Sequence, residues 1–344
     1  VKSKIKITKE TQERVKEFKN IIIRCNSALI LAHDYPDPDS LGSCLGISRL
    51  LSFWGIKNHV ISFGGFVGRA ENRAMIRYLN INTIPFALID IRDYEKIILI
   101  DCSLGRGNIS LPLKRLPDAV IDHHQNDSKT FNLFYDIRPQ IGSTSTIVTE
   151  YLIESNCPLD EKTATALYYG IKTDTGDLGR ESTADDLKCY KYLFNLINHE
   201  LLAKIENPER DSTFFKTFYK AAKNAIIFEK VAYIPLENVF SPDYIAEMAD
   251  MFHSLEHIDI TICWGIFKKN IFFSIRAKNS GLAGTIAENI AKALGGSGGG
   301  HGKAGAGKIQ IDSENKDVII KKFFEEVKKN NNIKNVNPVF LIDI

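Results

Sequence analysis

The stretch His33-Asp34-Tyr35-Pro36-Asp37-Pro38-Asp39-Ser40-Leu41-Gly42-Ser43 follows a short apolar run, Ser27–Ala32, and precedes Leu41–Trp54. The run SALILA has no alternation, which is the pattern of a parallel strand buried on both faces. The segment after it carries Leu41, Leu45, Leu50 and Leu51 near helical spacing. One imidazole and three carboxylates therefore fall in a strand-to-helix loop, at the carboxyl end of a strand. Open α/β sheets place their ligands there. His33, Asp37 and Asp39 form H-x3-D-x-D, a hard nitrogen and oxygen donor set, and two prolines limit how far the loop can flex. Asp, Pro and Ser are also ordinary turn residues, so this stretch alone does not separate a ligand loop from a surface turn.

The rest of the chain decides between them. Lys57–Phe63 reads as a strand, Gly64-Gly65-Phe66-Val67-Gly68 as a flexible turn and Ala70–Leu79 as a helix. Lys96–Ile100 is a strand that ends at Asp101, and Ala119–Ile121 a shorter one that ends at Asp122-His123-His124. Helical patterns fill Ser143–Ser155 and Asp160–Lys172, the second running into Thr173-Asp174-Thr175-Gly176. Thr8–Cys25 is an amphipathic helix ahead of them all. Strands alternating with helices predict a doubly wound, mostly parallel sheet over residues 1–182. A polar helical connector then covers 183–224. A smaller α/β domain is expected over 225–330: strand Val231–Leu236, helix Pro242–Phe252, the hairpin Ile258–Phe267 with Ile271–Arg276, and helix Leu282–Leu294. A glycine-rich loop, a short strand and helix Lys316–Lys329 complete it, and residues 331–344 form a tail.

The whole-chain numbers suit two cores: 344 residues, 44% hydrophobic, 25% charged. A net charge of +2 creates no strong field, so a long duplex held by general electrostatics is not expected. The six cysteines are scattered without a C-x2-C pair and read as reduced core thiols. There is no signal-like apolar region and no run of 18 apolar residues, so no membrane association and a cytoplasmic location are expected. Nothing in the chain fixes its oligomeric state; a homodimer is compatible with it.

Parallel strands bring their carboxyl ends to one edge, so His33, Asp37, Asp39, Asp101, Asp122, His123, His124 and Asp174 can converge although up to 141 positions separate them. Packing those carboxylates without a cation costs roughly 1–4 kcal/mol per close pair at about 4 Å. The cluster predicts a divalent-metal site, and carboxylates with imidazole and no thiolate favour Mn²⁺ over structural zinc.

With these motifs assembled, the sequence resembles the DHH phosphoesterase superfamily from about Ala28 to Ile311. The signatures are His33-x3-Asp37-x-Asp39 with Gly42-Ser43, then Asp101, Asp122-His123-His124, and Asp174 within G-I-x-T-D-T-G. The resemblance implies two divalent ions, manganese first and magnesium or cobalt as alternatives. His33, Asp37 and Asp101 would hold one; Asp39, Asp101, His123 and Asp174 the other. Asp101 would bridge, Asp122 orient the shell and His124 face the substrate phosphate, which makes Asp101, Asp122 and His124 the expected catalytic group. Ser274-x-Arg276 followed by Gly298-Gly299-Gly300-His301 resembles the DHH-associated C-terminal domain and implies substrate binding by Arg276, Gly298, Gly299, Gly300 and His301. Gly302, Gly305-Ala306 and Ala277 depart from residues common in that domain, which bears on substrate preference.

Size and order are similar to the bifunctional oligoribonuclease and 3'-phosphoadenosine 5'-phosphate phosphatase branch. The expected substrates are short single-stranded oligonucleotides or small nucleotide phosphates. Cyclic-di-AMP or linear dinucleotide phosphodiesterases share the two-domain plan. Pyrophosphatases and polyphosphatases lack the GGGH stretch, and a catalytically silent nucleotide-binding module is the alternative from outside the enzymes.

Overall fold

The computed structural model describes residues 5–104, 109–112, 114–125, 134–301, 303–312, 315–333 and 339–343. The chain divides into two compact units, Val1–Pro208 and Glu209–Ile344. Unit 1 holds helices α1 (Lys9–Ile22), α2 (Pro38–Phe53), α3 (Ala70–Leu79), α4 (Thr144–Glu154), α5 (Glu161–Asp174), α6 (Ala184–Phe194) and α7 (His199–Glu206). Its strands are β1 (Ala28–Ala32), β2 (His59–Phe63), β3 (Thr83–Pro85), β4 (Lys96–Ile100), β5 (Ala119–Asp122) and β6 (Phe134–Ile137). They form one parallel sheet in the order β3-β2-β1-β4-β5-β6. The strand order reverses between β1 and β4, where Leu31 lies opposite Leu99 and Ala32 opposite Ile100.

The continuous apolar run of β1 has a direct cause. Ala28, Ile30 and Ala32 join the core beneath the helices, while Leu29 and Leu31 join Ile97, Leu99 and Val120 in a second core on the other face. Both faces are covered, the second by the short turns Phe86–Leu88 and Ile91–Asp93 and their neighbours. Asp37 starts α2 as its N-cap: its side chain accepts from Ser40 N at 2.9 Å, Asp37 N donates back to Ser40 Oγ, and Pro38 occupies the first turn. Helices α2 and α5 lie unusually close. A Cβ added at Gly42 would meet the Ala166 carbonyl oxygen at 2.6 Å, and one at Gly170 would sit 3.1 Å from Asp39 Cα.

A buried ion cluster ties α1, β6 and α4 together. Arg138 reaches Asp136 through Nε and Nη2 at 2.8 and 2.6 Å, and its Nη1 donates to Glu150 at 2.7 Å and to Thr11 Oγ1 at 3.1 Å. Thr11 Oγ1 donates to Glu150 and Tyr151 Oη to Asp136.

Unit 2 contains α8 (Ser212–Asn224), β7 (Ile226–Phe228), β8 (Val231–Asn238), α9 (Asp243–His253), β9 (Ile260–Phe267), β10 (Asn270–Ala277), α10 (Leu282–Ala293), β11 (Ser297–His301), β12 (Ala304–Gln310), α11 (Lys316–Asn330) and β13 (Val339–Phe340). Its sheet runs β11-β12-β10-β9-β8-β7-β13, with β8 and β9 parallel across the α9 crossover and every other pair antiparallel. Ile271, Phe273 and Ile275 pack under α10 and α11 with Ile286, Ile290 and Phe323; Ile234, Leu236 and Cys263 pack with Phe214, Ile245 and Met248 of α8 and α9.

Two expectations meet a different arrangement. The helical stretch 183–224, read as a connector, is divided at Pro208: Cys189, Leu193, Leu202 and Ile205 of α6 and α7 enter the unit 1 core, and Phe214 and Ala221 of α8 enter unit 2. The glycine-rich segment expected as a loop is the strand β11 at the sheet edge, with Gly298 opposite Gly307 and Gly300 opposite Gly305. Glycine is required there by packing, since a Cβ at Gly298 would meet the Ala287 carbonyl of α10 at 2.6 Å. Among the described residues no helix is long and apolar enough to cross a membrane.

Candidate metal centre

Each acidic or imidazole residue of the centre is placed by the end of an element. His33 follows β1, Asp101 follows β4, His123 and His124 follow β5, and Asp174 is the last residue of α5. Asp37 and Asp39 sit at the N-cap and first turn of α2. Because β1 and β4 are neighbours at the switch in strand order, residues far apart in the chain meet above one crevice. Among the described residues, donor atoms gather in three groups, each within 4.8 Å: His33, Asp37 and Asp101; Asp39, His123 and Asp174; Asp101, His123 and His124. Asp101 belongs to two of them, and all six expected ligands are represented.

Two imidazoles are held in a ligand-ready tautomer. His33 Nδ1 lies 2.9 Å from the Asp34 carbonyl and His123 Nδ1 3.1 Å from the Ile141 carbonyl. A carbonyl only accepts, so each Nδ1 carries a proton, and once the ring is neutral its Nε2 presents the lone pair. His33 Nε2 stands 3.7 Å from both Asp37 Oδ1 and Asp101 Oδ2. His123 Nε2 is 3.0 Å from Asp174 Oδ2 and 3.7 Å from Asp101 Oδ1. It is buried and makes no hydrogen bond. An orphaned imidazole nitrogen facing carboxylates is what a cation would satisfy, so the donors present fit a divalent ion.

The carboxylates are fixed by partners that the sequence reading did not single out. The N-terminus of α4 points at Asp39: Thr144 N donates to Oδ2 at 2.7 Å and Ser145 N to Oδ1 at 2.8 Å. Thr144 Oγ1 donates to Asp101 Oδ1 at 2.8 Å. Asp122 is fully buried, accepts from Ser103 Oγ at 2.6 Å and from His124 N, and lies 2.9 Å from His124 Nδ1. These contacts anchor the ring of His124. The signal for α4 was the polar start Ser143-Thr144-Ser145-Thr146 of an otherwise apolar helix, beyond the needs of an N-cap.

Burial and the crowding of carboxylates load this crevice with protons. Burial is the largest influence on Asp39 and, with Asp174 nearby, pushes its carboxyl up to about 7. Burial and then Asp39 and Asp37 hold Asp101 well above the usual carboxylate range. For His33 burial works against the charged ring, but the contact and charge of Asp37 outweigh it and lift the imidazole to about 9. For His123 burial is again outweighed, by Asp174, Asp101 and Asp39, and the ring rises to about 11. A divalent ion needs ionised carboxylates and neutral imidazoles, so binding must displace protons. Affinity for Mn²⁺ is expected to weaken as pH falls from about 9 to 6, because the raised imidazoles are increasingly protonated. Calorimetric titrations in two buffers of different ionisation enthalpy should give different apparent enthalpies; identical values would mean that no proton leaves.

In unit 2, Arg276 lies on β10 and donates through Nε to Asp250 and through Nη1 to Ser274 Oγ at 2.8 Å. Gly298, Gly299 and Gly300 lie in β11, and only Gly299 has open space where a side chain would be. His301 ends the same strand; its side chain, like Gly302, lies outside the described residues.

Residues 27–171 match the DHH family, N-terminal domain, and residues 228–329 match the DHHA1 domain. An uncharacterized protein of Methanocaldococcus jannaschii is 35% identical over 82% of this chain, which spans 58% of that protein's length. The probable bifunctional oligoribonuclease and PAP phosphatase NrnA of Streptococcus mutans is 23% identical over 88% of this chain and 96% of its own length. The crystal structure of an exopolyphosphatase-related protein from Bacteroides fragilis superposes with a TM-score of 0.72, covering 94% of this chain and 98% of the other at 17% identity. That likeness extends the shared fold over both units.

Proposed function

We propose, from the premise that the chain carries a DHH N-terminal domain and a DHHA1 domain, that it is a divalent-metal-dependent hydrolase of phosphate esters. Its preferred substrates are short oligonucleotides and small nucleotide phosphates of the 3'-phosphoadenosine 5'-phosphate kind. The observation that carries this reading is the pair of donor groups sharing Asp101, His33/Asp37/Asp101 and Asp101/His123/His124, beside the third group built on Asp39 and Asp174. Such a set would hold two ions. When bound, they supply Lewis acidity toward a phosphoryl oxygen and a nucleophilic water at neutral pH.

The chain's own residues do the rest. Asp101, buried and held by Thr144, is the carboxylate able to serve both ions. Asp39 is kept in place by two backbone N–H groups. Asp122 fixes the ring of His124, which we assign to the charge on the substrate phosphate. In unit 2, Arg276 is the candidate guanidinium for a second phosphate, which would compete with Asp250 for it.

Substrate preference is tested by a manganese-activated panel of dinucleotides, 3'-phosphoadenosine 5'-phosphate, cyclic-di-AMP, pyrophosphate and longer single-stranded DNA. The first two should be turned over fastest; a preference for pyrophosphate would overturn the assignment, and a preference for cyclic-di-AMP would move it to the cyclic-dinucleotide class. His124→Ala should lower kcat by about 10²–10³-fold, the usual loss for a donor to developing charge. Metal content by elemental analysis should remain that of the wild type. Because His124 also lies within ligand distance of Asp101 and His123, loss of one metal equivalent would instead make it a ligand.

A further inference from the structure

The loop that carries His33 and Asp37 also displays an aromatic ring in a conformation that such a residue rarely adopts. Tyr35 has φ +59°, in the left-handed region, and the residue is 58% exposed. For a side chain of this bulk that backbone state is unfavourable and persists only where the surroundings impose it. They do so on both sides. Tyr35 N donates to the Gly64 carbonyl at 3.1 Å, and the next carbonyl, of Pro36, accepts from the buried amide of Asn72 at 3.0 Å. On the other flank the Asp34 carboxylate accepts from Ser110 N and Oγ at 3.0 and 2.9 Å.

The turn at Gly64-Gly65-Phe66 is shaped to receive the ring. Gly65 has φ +69°, and a Cβ there would strike Tyr35 Cε1 at 2.7 Å. Residue 65 must be glycine both for its backbone and for the ring beside it. Phe66 meets Tyr35 edge-to-face, with centroids 5.2 Å apart and planes at 89°, and is itself 38% exposed. A folding chain gains little by straining its backbone to hold a tyrosine out in water. We infer that Tyr35 and Phe66 form a stacking platform for a nucleobase of the substrate, seated two residues from the ligands His33 and Asp37.

This rests on the hydrolase reading above and makes it narrower: the nucleotide adjoining the scissile phosphate is recognised through the face of its base. Aromatic stacking accepts any base, so the platform confers preference for nucleotides over pyrophosphate without sequence selectivity.

The test compares a dinucleotide with the same phosphodiester lacking its bases, in Mn²⁺. Tyr35→Gly and Phe66→Ala should each lower kcat/KM on the dinucleotide about tenfold, chiefly through KM, as loss of a stacked base does. On the abasic analogue the change should stay under twofold. Tyr35→Phe, which keeps the ring, should recover the dinucleotide rate. Tyr35→Gly should melt no lower than the wild type, because glycine takes the left-handed backbone without strain. Equal losses on both substrates would mean that the ring only shapes the metal loop, and no loss on either would remove the platform. If the wild type cleaves neither a dinucleotide nor 3'-phosphoadenosine 5'-phosphate, the hydrolase reading fails. The platform is then still judged by calorimetry with AMP, whose affinity should fall about tenfold in Tyr35→Gly.

Discussion

Asp101→Asn is expected to lower turnover by about 10³-fold on every phosphate ester, with bound manganese falling below the wild-type content. The size follows from removing the one carboxylate common to two donor groups, where each ion contributes several kcal/mol of charge stabilisation and about 4 kcal/mol is a factor of 10³. The substitution isolates charge from structure. Asp101 has φ +59°, and asparagine tolerates that region as well as aspartate does. The amide oxygen can still accept from Thr144 Oγ1, so the loop after β4 keeps its anchor. Circular dichroism should be unchanged while elemental analysis and kcat both fall. Near wild-type turnover with a full metal complement would refute the bridging role.

Arg138→Met should destabilise unit 1 by about 3–5 kcal/mol, the cost of leaving buried carboxylates without their cation. Asp136 and Glu150 are both buried, and each loses its hydrogen bonds to the guanidinium. The contrasting variant is Glu150→Gln. Burial, the largest influence on Glu150, exceeds the opposing charge and hydrogen bonds of Arg138 and leaves its carboxyl above the usual range. A raised carboxyl contributes stability below its ordinary value of 4.5, and that contribution is lost as pH rises through the folded-state value. At pH 7 Glu150→Gln should therefore cost less than about 1 kcal/mol, since Gln still accepts from Arg138 and Thr11. Urea unfolding followed by a unit 1 signal compares the two. A cost under about 1 kcal/mol for Arg138→Met would mean that water reaches the remaining carboxylates.

The sheet and the cluster of acidic and imidazole donors could be read from the chain because both rest on local patterns. SALILA, KIILI and AVI are unbroken apolar runs, as strands buried on both faces must be, and each is followed at once by Asp or His. A parallel sheet converts that into convergence. What escaped reading depends on partners far along the chain. Nothing around Arg138 announces that Thr11, 127 residues earlier, closes its cluster. Thr144 and Ser145 look like cap residues until Asp39, 105 and 106 positions away, is seen on their N–H groups. The glycine run of β11 has neither branched nor aromatic residues and reads as loop by composition. It becomes a strand because β12 pairs with it and α10 needs to lie against it. Tyr35 looks like any turn residue; its φ is set by hydrogen bonds to the loop at Gly64 and from Asn72.

The close crossing of α2 and α5 makes those helices the arms of a caliper. One arm carries Asp37 and Asp39 at its tip, the other Asp174, and Gly42 against the Ala166 carbonyl sets the gap between them. The spacing of the carboxylates at the two tips is therefore governed in part by a residue with no side chain and no donor atom. That spacing can be altered without touching a donor, by changing what lies between the arms.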